Sequence, residues 1–359
     1  MQQTTQLKEA QSHQPNKLKP KQGNAPVIGI SIGDVNGVGP EVTIKALNDK
    51  RILSQMTPII FGSAKVVSYY RKQCDMEQFN FMTIKDLDSI AYGKVNVLNC
   101  WQEVIEPQPG KVTNAAGQAA WQALEKATQA LKENVLSAIV TAPINKNNIQ
   151  NEGFSFPGHT EFFAKTFEAE EHLMLLVHEK LRVGVVTGHV PLHQVSQKIT
   201  RSKVRQKILL MENSLQQDFG VIKPRIAVLG LNPHAGESGL LGSEEQDIII
   251  PVIQELKEKG KLVYGPFPSD GFFGALTHQQ FDGVLAMYHD QGLIPFKTLA
   301  FEKGVNFTAG LSVVRTSPDH GTAYDIAGKN QANADSMREA LYLACDVIAQ
   351  RQHLVAEQD

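Results

Sequence analysis

Short apolar segments alternate with helix-forming segments along most of the chain, and this alternation constrains the fold more than any other feature. The segment Val27–Ser31 has the composition of a buried strand, a glycine-rich loop follows it, and Pro40 stands where a helix would begin. Further apolar strands are predicted at 57–61, 95–98, 137–141, 172–177, 181–186, 225–229 and 283–287. Because strands that alternate with helices build a parallel sheet covered by helices, the sequence predicts an α/β fold.

Helix boundaries are predicted from apolar spacing and from residues that favour helix starts. Ser243, with Gln246 three residues later, has the pattern of a capping box in front of an apolar helical face. Asp335 or Ser336 is predicted to cap a final helix that ends at about Arg351. Two longer helices are predicted at 115–133 and 200–218. No low-complexity linker separates two halves, so only motifs can indicate a domain boundary.

Composition and charge exclude several classes of protein. The 359 residues hold 35 Lys and Arg against 37 Asp and Glu, a net charge of −2 that leaves no basic excess for a nucleic-acid backbone or an anionic membrane. The longest apolar stretches, such as 135–144, are far shorter than the roughly 18 residues that span a bilayer. We therefore predict neither nucleic acid nor a membrane as a partner.

Cysteine usage and the N-terminal segment indicate where the protein works. Cys74, Cys100 and Cys345 are odd in number, far apart and without any CxxC pair, as expected for isolated thiols in a reducing compartment. Residues 1–25 are rich in Gln and Lys and lack the apolar region of a signal peptide. The sequence predicts a disordered tail over 1–25 and a cytoplasmic protein.

The glycine-rich loop at 33–40 follows the first predicted strand and has two interpretations. Glycines there would let backbone N–H groups approach a dinucleotide pyrophosphate at a helix N-terminus. Its spacing differs from GxGxxG, and no GxxxxGK[ST] phosphate loop occurs in the chain. The loop is either a cofactor loop of another kind or a tight turn between strand and helix.

Four histidines stand in loops after apolar strands or beside helix starts, namely His159, His189, His234 and His289. Ligands of open α/β sheets bind beyond the carboxyl ends of strands, and three neutral imidazoles with one open position make a Lewis-acid metal site. No HExxH motif occurs, so the ligands would come from distant segments. His193, four residues after His189, would compete as a ligand if that stretch were helical.

Groups that suit a small anion gather downstream. Lys297 follows a Gly-Leu-Ile-Pro segment, Asn306 lies in GVNFT, and Arg315 lies in an apolar run. Arg offers a forked set of donors that matches phosphate or carboxylate, and Lys offers a point charge. These residues predict a site for a small anionic metabolite.

The segment 320–328, HGTAYDIAG, is the sharpest local signal. It resembles the adenosine-binding loop HGSAPDIAG of the isopropylmalate and isocitrate dehydrogenases, which bind NAD(P) without a GxGxxG motif. The likeness predicts NAD or NADP as cofactor, with Asp325 accepting hydrogen bonds from a ribose diol. The predicted cofactor-binding residues are His320, Gly321, Thr322, Ala323 and Asp325.

A whole series of motifs resembles one family, the 4-hydroxythreonine-4-phosphate dehydrogenases of pyridoxal phosphate biosynthesis. The matching pieces run in family order from about Val27 to Ala349. They are GDVNGVGPE, VTAPINK, FPGHTEFF, TGHVPL, GLNPHAGE, GPFPSD, AMYHDQGL, GVNFTAGL and VRTSPDHGTA.

The resemblance implies an isopropylmalate-dehydrogenase-like architecture of two α/β/α subdomains with a cleft between them. Residues 26–145 plus 296–359 would form the cofactor-side subdomain, and 146–295 the subdomain for metal binding and dimerisation. The family's enzymes are homodimers with the active site at the subunit interface. Two departures stand out: Asp34-Val35-Asn36 replaces the frequent Glu-Pro-Ala, and His193 replaces what is often a basic or polar residue.

The family's functional positions carry over to this sequence residue by residue. The implied metal ligands are His189, His234 and His289, for Zn²⁺, Mg²⁺ or Co²⁺. The implied substrate contacts are His159, Thr160, Lys297, Asn306 and Arg315. Asp270 and Asp290 are the candidates for the general base.

The implied reaction is the oxidation of the secondary alcohol of 4-phosphohydroxy-L-threonine to a β-keto acid that then loses CO2. A related alternative is a dehydrogenase of a four-carbon acid sugar phosphate, erythronate or threonate 4-phosphate. A more distant alternative is a metal-dependent phosphohydrolase or a phosphometabolite-binding protein, against which the HGTAYDIAG segment argues.

Overall fold

The computed structural model describes residues 25–357, so the predicted disordered tail lies, apart from Ala25, outside the described residues. The strands are β1 Val27–Ser31, β2 Thr57–Gly62, β3 Met82–Ile84, β4 Asn96–Asn99, β5 Ala138–Thr141, β6 Leu173–His178, β7 Leu181–Thr187, β8 Ile226–Leu229, β9 Val263–Phe267, β10 Gly283–Tyr288, β11 Val305–Ala309 and β12 Val314–Pro318. The helices are α1 Gly39–Leu47, α2 Ile52–Gln55, α3 Ala64–Gln73, α4 Asn114–Lys132, α5 His159–Thr166, α6 Val195–Lys198, α7 Arg201–Gln217, α8 Ile250–Glu258, α9 Ser269–Gly274, α10 His289–Ala300 and α11 Asp335–Ala356. Within this described range no helix is long and apolar enough to cross a membrane.

The strands form one sheet in the order β3-β4-β2-β1-β5-β12-β11-β6-β7-β10-β8-β9. The α/β fold class is confirmed, but the sheet is mixed rather than wholly parallel. β11 runs antiparallel to β12 and β6, and β6 runs antiparallel to β7. The parallel run from β3 to β12 therefore points opposite to the parallel run from β7 to β9.

Short connections explain the antiparallel centre of the sheet. β6 ends at His178 and β7 begins at Leu181, which leaves room only for a hairpin turn. β11 and β12 are joined by 310–313, where Gly310 adopts a φ of +90°. A parallel pair would need a crossover of about a dozen residues, so these two connections dictate antiparallel pairing.

Neither predicted side-chain cap forms. Among the described residues Ser243 makes no side-chain hydrogen bond to the helix start, because the chain opens there with a π-helical turn over Glu245–Ile249. Ser336 is also not a cap: its hydroxyl donates to the Gly304 carbonyl, 2.6 Å away, and accepts from the Asp319 N–H. The final helix begins after Ala334 and continues to Ala356, beyond the predicted end.

Helix α10 lies against β7 and β10 and connects two parts of the predicted site. Its buried side chains Leu293 and Phe296 pack with Val183 and Ala286 of these strands. The helix begins at His289 and carries Lys297 near its other end. Packing against the sheet therefore fixes both residues on one rigid element.

Candidate active site

The predicted metal ligands follow neighbouring parallel strands. β7, β10, β8 and β9 lie side by side and end at the same edge of the sheet. His189 follows β7, His289 follows β10, His234 follows β8 and Asp270 follows β9. This is the position beyond strand carboxyl ends where α/β proteins bind ligands.

The structure brings His189 and His289 together, with ring centroids 5.4 Å apart. Burial lowers the pKa of His189, and the positive charge of Lys146 lowers it further, which favours the neutral imidazole that binds metals. His289 Nδ1 lies 2.7 Å from Asp290 Oδ1. Such a contact orients the ring and leaves Nε2 available to a ligand.

His234 does not complete a three-ligand group with this pair within the described residues. It is exposed on a turn between β8 and α8, and no group of three His, Cys, Asp or Glu side chains within residues 25–357 converges closely enough to hold a metal ion. The single chain thus assembles two of the three predicted ligands. His193 does not replace the third, because it is exposed on a 3₁₀ turn rather than on one helix with His189.

Arg315 is a buried cation without a buried counter-ion. Its side chain is 2% exposed, and its guanidinium donates to Thr141 Oγ1 at 2.6 Å and to Thr308 Oγ1 at 3.3 Å. No carboxylate of residues 25–357 lies within ion-pair distance of it. Burial lowers the pKa of Arg315 to about 9, with the charge of Glu161 opposing the shift. A buried charge without a partner is costly, so this guanidinium is suited to an anionic ligand.

His159 and Asn306 add further unsatisfied groups beside this cation. His159 opens α5, its Nε2 is buried without a partner, and burial together with the charges of Arg315 and Lys146 holds its pKa well below the ordinary value. Asn306 Oδ1 is likewise buried without a partner on β11. Thr160, the second residue of α5, is half-buried. Buried polar atoms are normally hydrogen-bonded, so these atoms indicate a ligand pocket.

Lys297 contacts the residue that directly precedes the predicted cofactor segment. Its Nζ lies 3.5 Å from Asp319 Oδ2 and 3.3 Å from the Asp319 carbonyl oxygen. Burial raises the pKa of Asp319, and the charge of Lys297 opposes that shift. Asp319 directly precedes His320, whose Nε2 is buried without a partner. The ammonium group of Lys297 therefore lies next to the start of the predicted cofactor segment.

The predicted cofactor segment rests on the glycine-rich loop. Val38 N–H donates to the Thr322 carbonyl at 2.9 Å, and a Cβ on Gly37 would lie only 2.9 Å from that oxygen. The Tyr324 hydroxyl donates to Asp34 Oδ2 at 2.8 Å. The N–H groups of residues 34, 36, 37 and 38 are all taken up by protein acceptors. The glycine-rich loop is thus a tight turn that supports the cofactor segment.

The remaining predicted residues of the cofactor segment lie on irregular backbone after β12. Gly321 is exposed and its carbonyl lies 3.0 Å from His320 Nδ1. Ala323 adopts a left-handed φ of +42°, and Asp325 is exposed. Asp325 is therefore free to accept hydrogen bonds from a ligand.

The two candidate bases differ in their surroundings. Asp270 is exposed in α9 and has no side-chain hydrogen bond among the described residues. Asp290 is also largely exposed, and its carboxylate is engaged by the His289 ring. Asp290 thus contacts the His289 ring, whereas the Asp270 carboxylate has no such contact within the described residues.

Two charged residues of the pocket were not predicted. The point where a Cβ on Gly158 would lie is 3.9 Å from Lys146 Nζ and 3.5 Å from Glu161 Oε2. Their charges act on the pKa values of His159, His189 and Arg315. Both stand in the motifs VTAPINK and FPGHTEFF, which were the available signal.

Comparisons with known proteins agree on one family. A family model described as pyridoxal phosphate biosynthetic protein PdxA matches residues 54–344. The chain is 51% identical over 326 residues to a 4-hydroxythreonine-4-phosphate dehydrogenase of Bacteroides thetaiotaomicron, covering 90% of this chain and 89% of the relative. It is 42% identical over 328 residues to a protein of Oceanobacillus iheyensis provisionally named D-threonate 4-phosphate dehydrogenase, covering 90% and 98%.

A solved structure extends the likeness to the fold. The crystal structure of a 4-hydroxythreonine-4-phosphate dehydrogenase from Klebsiella pneumoniae matches with a TM-score of 0.76 at 35% identity. The match covers 90% of this chain and 98% of that one. Motifs, family model, relatives and fold all agree, and the chain belongs to the PdxA family of pyridoxal phosphate biosynthetic proteins.

Proposed function

We propose that the protein oxidises 4-phosphohydroxy-L-threonine to 2-amino-3-oxo-4-phosphooxybutanoate, with NAD or NADP as oxidant and with a divalent metal ion. The product then loses CO2 to give 3-amino-2-oxopropyl phosphate, a step of pyridoxine and pyridoxal phosphate biosynthesis. Relatives named as dehydrogenases support the oxidoreductase class. The observation that carries the substrate assignment is the buried, unpaired guanidinium of Arg315.

The pocket around Arg315 would bind the phosphate of the substrate. The guanidinium is held in place by Thr141 and Thr308, so little side-chain entropy is lost when an anion binds. Neutral His159 and the amide of Asn306 would complete the set of polar contacts to the phosphorylated end. Thr160 and Lys297 would add a hydroxyl and a second cation, which together suit a dianion.

The paired rings of His189 and His289 fit a divalent metal ion. Burial favours the neutral form of His189, and Asp290 fixes the orientation of the His289 ring. A bound divalent ion would act as a Lewis acid that lowers the pKa of the substrate hydroxyl. Imidazole ligands suit Zn²⁺ and Co²⁺ better than Mg²⁺.

The segment 320–325 would bind the adenosine half of the cofactor. Exposed Asp325 would accept hydrogen bonds from the ribose hydroxyls, and the buried, unpartnered His320 Nε2 points to one more ligand contact. A nicotinamide cofactor bound there would accept the hydride of the carbon that bears the hydroxyl, and a base of the protein would take the hydroxyl proton. Asp270 is our candidate for that base.

We further propose that the active unit is a homodimer. Leu240, Ile294 and Phe301 are large apolar side chains that are 80%, 64% and 75% exposed. Leu240 follows the turn that bears His234, and the other two lie in and just after α10, which bears His289. A second copy would cover these side chains and could bring its own His234 to the pair of histidines.

The proposed compartment is the cytoplasm, on the basis of the cysteines. Cys74, Cys100 and Cys345 are all buried free thiols. Burial raises the pKa of Cys100 to about 12, which keeps the thiol protonated and unreactive. The division into subdomains 26–145 plus 296–359 and 146–295 remains a prediction.

The assay that tests the proposal follows NADH formation on a panel of four-carbon substrates. We expect turnover of 4-phosphohydroxy-L-threonine, and far slower turnover of 4-hydroxythreonine without its phosphate. A preference for D-threonate or D-erythronate 4-phosphate would favour the second candidate, which the Oceanobacillus iheyensis relative supports. Absence of NAD and NADP binding by calorimetry would instead favour a phosphohydrolase or a phosphometabolite-binding protein.

A further inference from the structure

The turn that carries His234 has an unusual backbone. Five consecutive residues, 234–238, adopt left-handed dihedral angles, with φ between +43° and +82°. Only Gly236 among them is free of the steric penalty that left-handed backbone imposes on L-residues. Strained backbone of this kind persists only where surrounding contacts hold it.

The Glu245 side chain lies against this turn and bonds the residues that lead into it. Its carboxylate accepts from the N–H groups of Leu231 and Asn232, at 2.6 and 2.7 Å, and from Asn232 Nδ2 at 2.9 Å. It is fully buried, and no cation within residues 25–357 pairs with it. A Cβ on Gly236 would lie 2.7 Å from Glu245 Oε2, so the carboxylate contacts the left-handed turn itself.

The local helix geometry places this carboxylate. Glu245 begins the π-helical turn Glu245–Ile249, which precedes α8. Such turns are rare and are found often at functional sites. The π-turn directs the buried carboxylate at the chain that leads from β8 into the His234 turn.

We propose that Glu245 is a positioning residue that holds the left-handed turn and thereby presents His234 to the metal ion. The inference rests on the proposed metal site and adds a residue outside its ligand set. Loss of a group that orients a ligand typically costs about 10- to 100-fold in metal affinity. Loss of Glu245 should therefore weaken metal binding without removing any ligand.

Glu244 offers a matched control. It is the neighbouring glutamate, and its carboxylate contacts Asn232 Nδ2 at 2.8 Å without reaching the backbone N–H groups. Glu244→Gln changes the same charge beside the same turn. It should leave metal affinity within about twofold of the wild type, because the turn keeps its backbone contacts.

The experiment measures the Zn²⁺ dissociation constant of the full-length protein by competition with a chromophoric chelator. All variants are compared at equal concentration, with their oligomeric state checked by sedimentation. We expect Glu245→Gln to bind Zn²⁺ about 10- to 100-fold more weakly than the wild type. His234→Ala should likewise raise the dissociation constant. An unchanged dissociation constant in Glu245→Gln, with a weakened one in His234→Ala, would overturn the inference.

A second variant keeps the inference testable if Glu245→Gln does not fold. Ser238 is exposed, has a φ of +58°, and its side chain makes no hydrogen bond within the described range. Ser238→Gly removes steric strain from the turn, and we expect about fivefold tighter Zn²⁺ binding, alone or in the Glu245→Gln background. Unchanged binding in Ser238→Gly would contradict a strained turn. Failure of the wild type and of all variants to bind Zn²⁺ would instead reject the metal in the proposed function.

Discussion

The two halves of the site differ in how complete they are within one chain. The anion pocket is buried and its cation is already fixed, since Arg315 is 2% exposed and bonded to two threonines. The proposed metal-binding edge is incomplete: His189 and His289 meet, while His234 is exposed and forms no three-ligand group with them within residues 25–357. A preformed pocket depends only on the fold of one chain. The proposed metal site would depend in addition on a metal ion and a second copy.

Removal of the proposed metal ion should have the largest effect on turnover, and it tests the metal-binding half of the site. Treatment with EDTA is expected to abolish turnover, because the ionised substrate hydroxyl loses its stabilising charge. Zn²⁺, Co²⁺ or Mg²⁺ should restore it. His289→Ala should also lose most turnover while its circular dichroism spectrum stays that of the wild type. Full activity in rigorously metal-free protein would contradict the metal proposal and leave the anion pocket untouched.

Substitution in the anion pocket should have the next largest effect. Arg315→Met removes the charge and both hydrogen bonds to phosphate, so kcat/KM should fall roughly 10²- to 10⁴-fold. The same change removes an unpaired buried charge, so the urea midpoint of unfolding should not fall. Arg315→Lys is the control, since it keeps the charge and loses the forked donors. Equal rates with and without substrate phosphate in the wild type would show that the pocket binds something else.

Mixed dimers should show most directly whether the three histidines come from one chain or from two. His234→Ala and His289→Ala are each expected to be inactive as homodimers. If the site draws His234 from the second copy, a heterodimer has one intact site, and a random mixture should recover about a quarter of wild-type activity. No recovery in heterodimers proven by tagged purification would place all three ligands in one chain.

The sequence predicts some parts of this molecule better than others, and the reason is local. β1 was predicted with its observed bounds because VIGIS is apolar up to its last residue, Ser31. β11 and β12 were missed because the sequences VNFTA and VRTSP interrupt the apolar pattern with Asn306, Thr308 and Arg315, which belong to the pocket. Polar residues that serve a site interrupt the apolar pattern from which a strand is predicted. The pocket residues of β11 and β12 therefore prevented the prediction of these two strands.

Site residues show the same limit. The positions of His189 and His289 follow from their places after two apolar strands, and the structure places them together. The left-handed turn that bears His234 could not be predicted, because no sequence pattern indicates five consecutive residues in left-handed backbone. Lys146 and Glu161 were missed because a single charged residue, in a turn for Lys146 and in the first turn of α5 for Glu161, has no pattern of its own.

The smallest expected effect concerns the pH dependence of stability, and it comes from the buried half. The folded protein holds His159 neutral, because burial and the charges of Arg315 and Lys146 lower its pKa well below 6.5. The unfolded chain has the ordinary pKa of 6.5. Below about pH 6.5 the unfolded chain therefore binds a proton that the folded chain does not, and stability falls as pH falls.

His159→Gln removes this proton-linked loss. Between about pH 7 and pH 5.5, the urea midpoint of the wild type should fall more than that of His159→Gln. The difference arises because the pKa of His159 is lower in the folded than in the unfolded protein. His193→Gln is the control, because it removes a histidine from an exposed position outside the pocket. Parallel pH profiles in the wild type and His159→Gln would mean that water or a proton reaches the His159 ring in the folded protein. The anion pocket would then be as open as the metal-binding edge, and the contrast between the two halves would be lost.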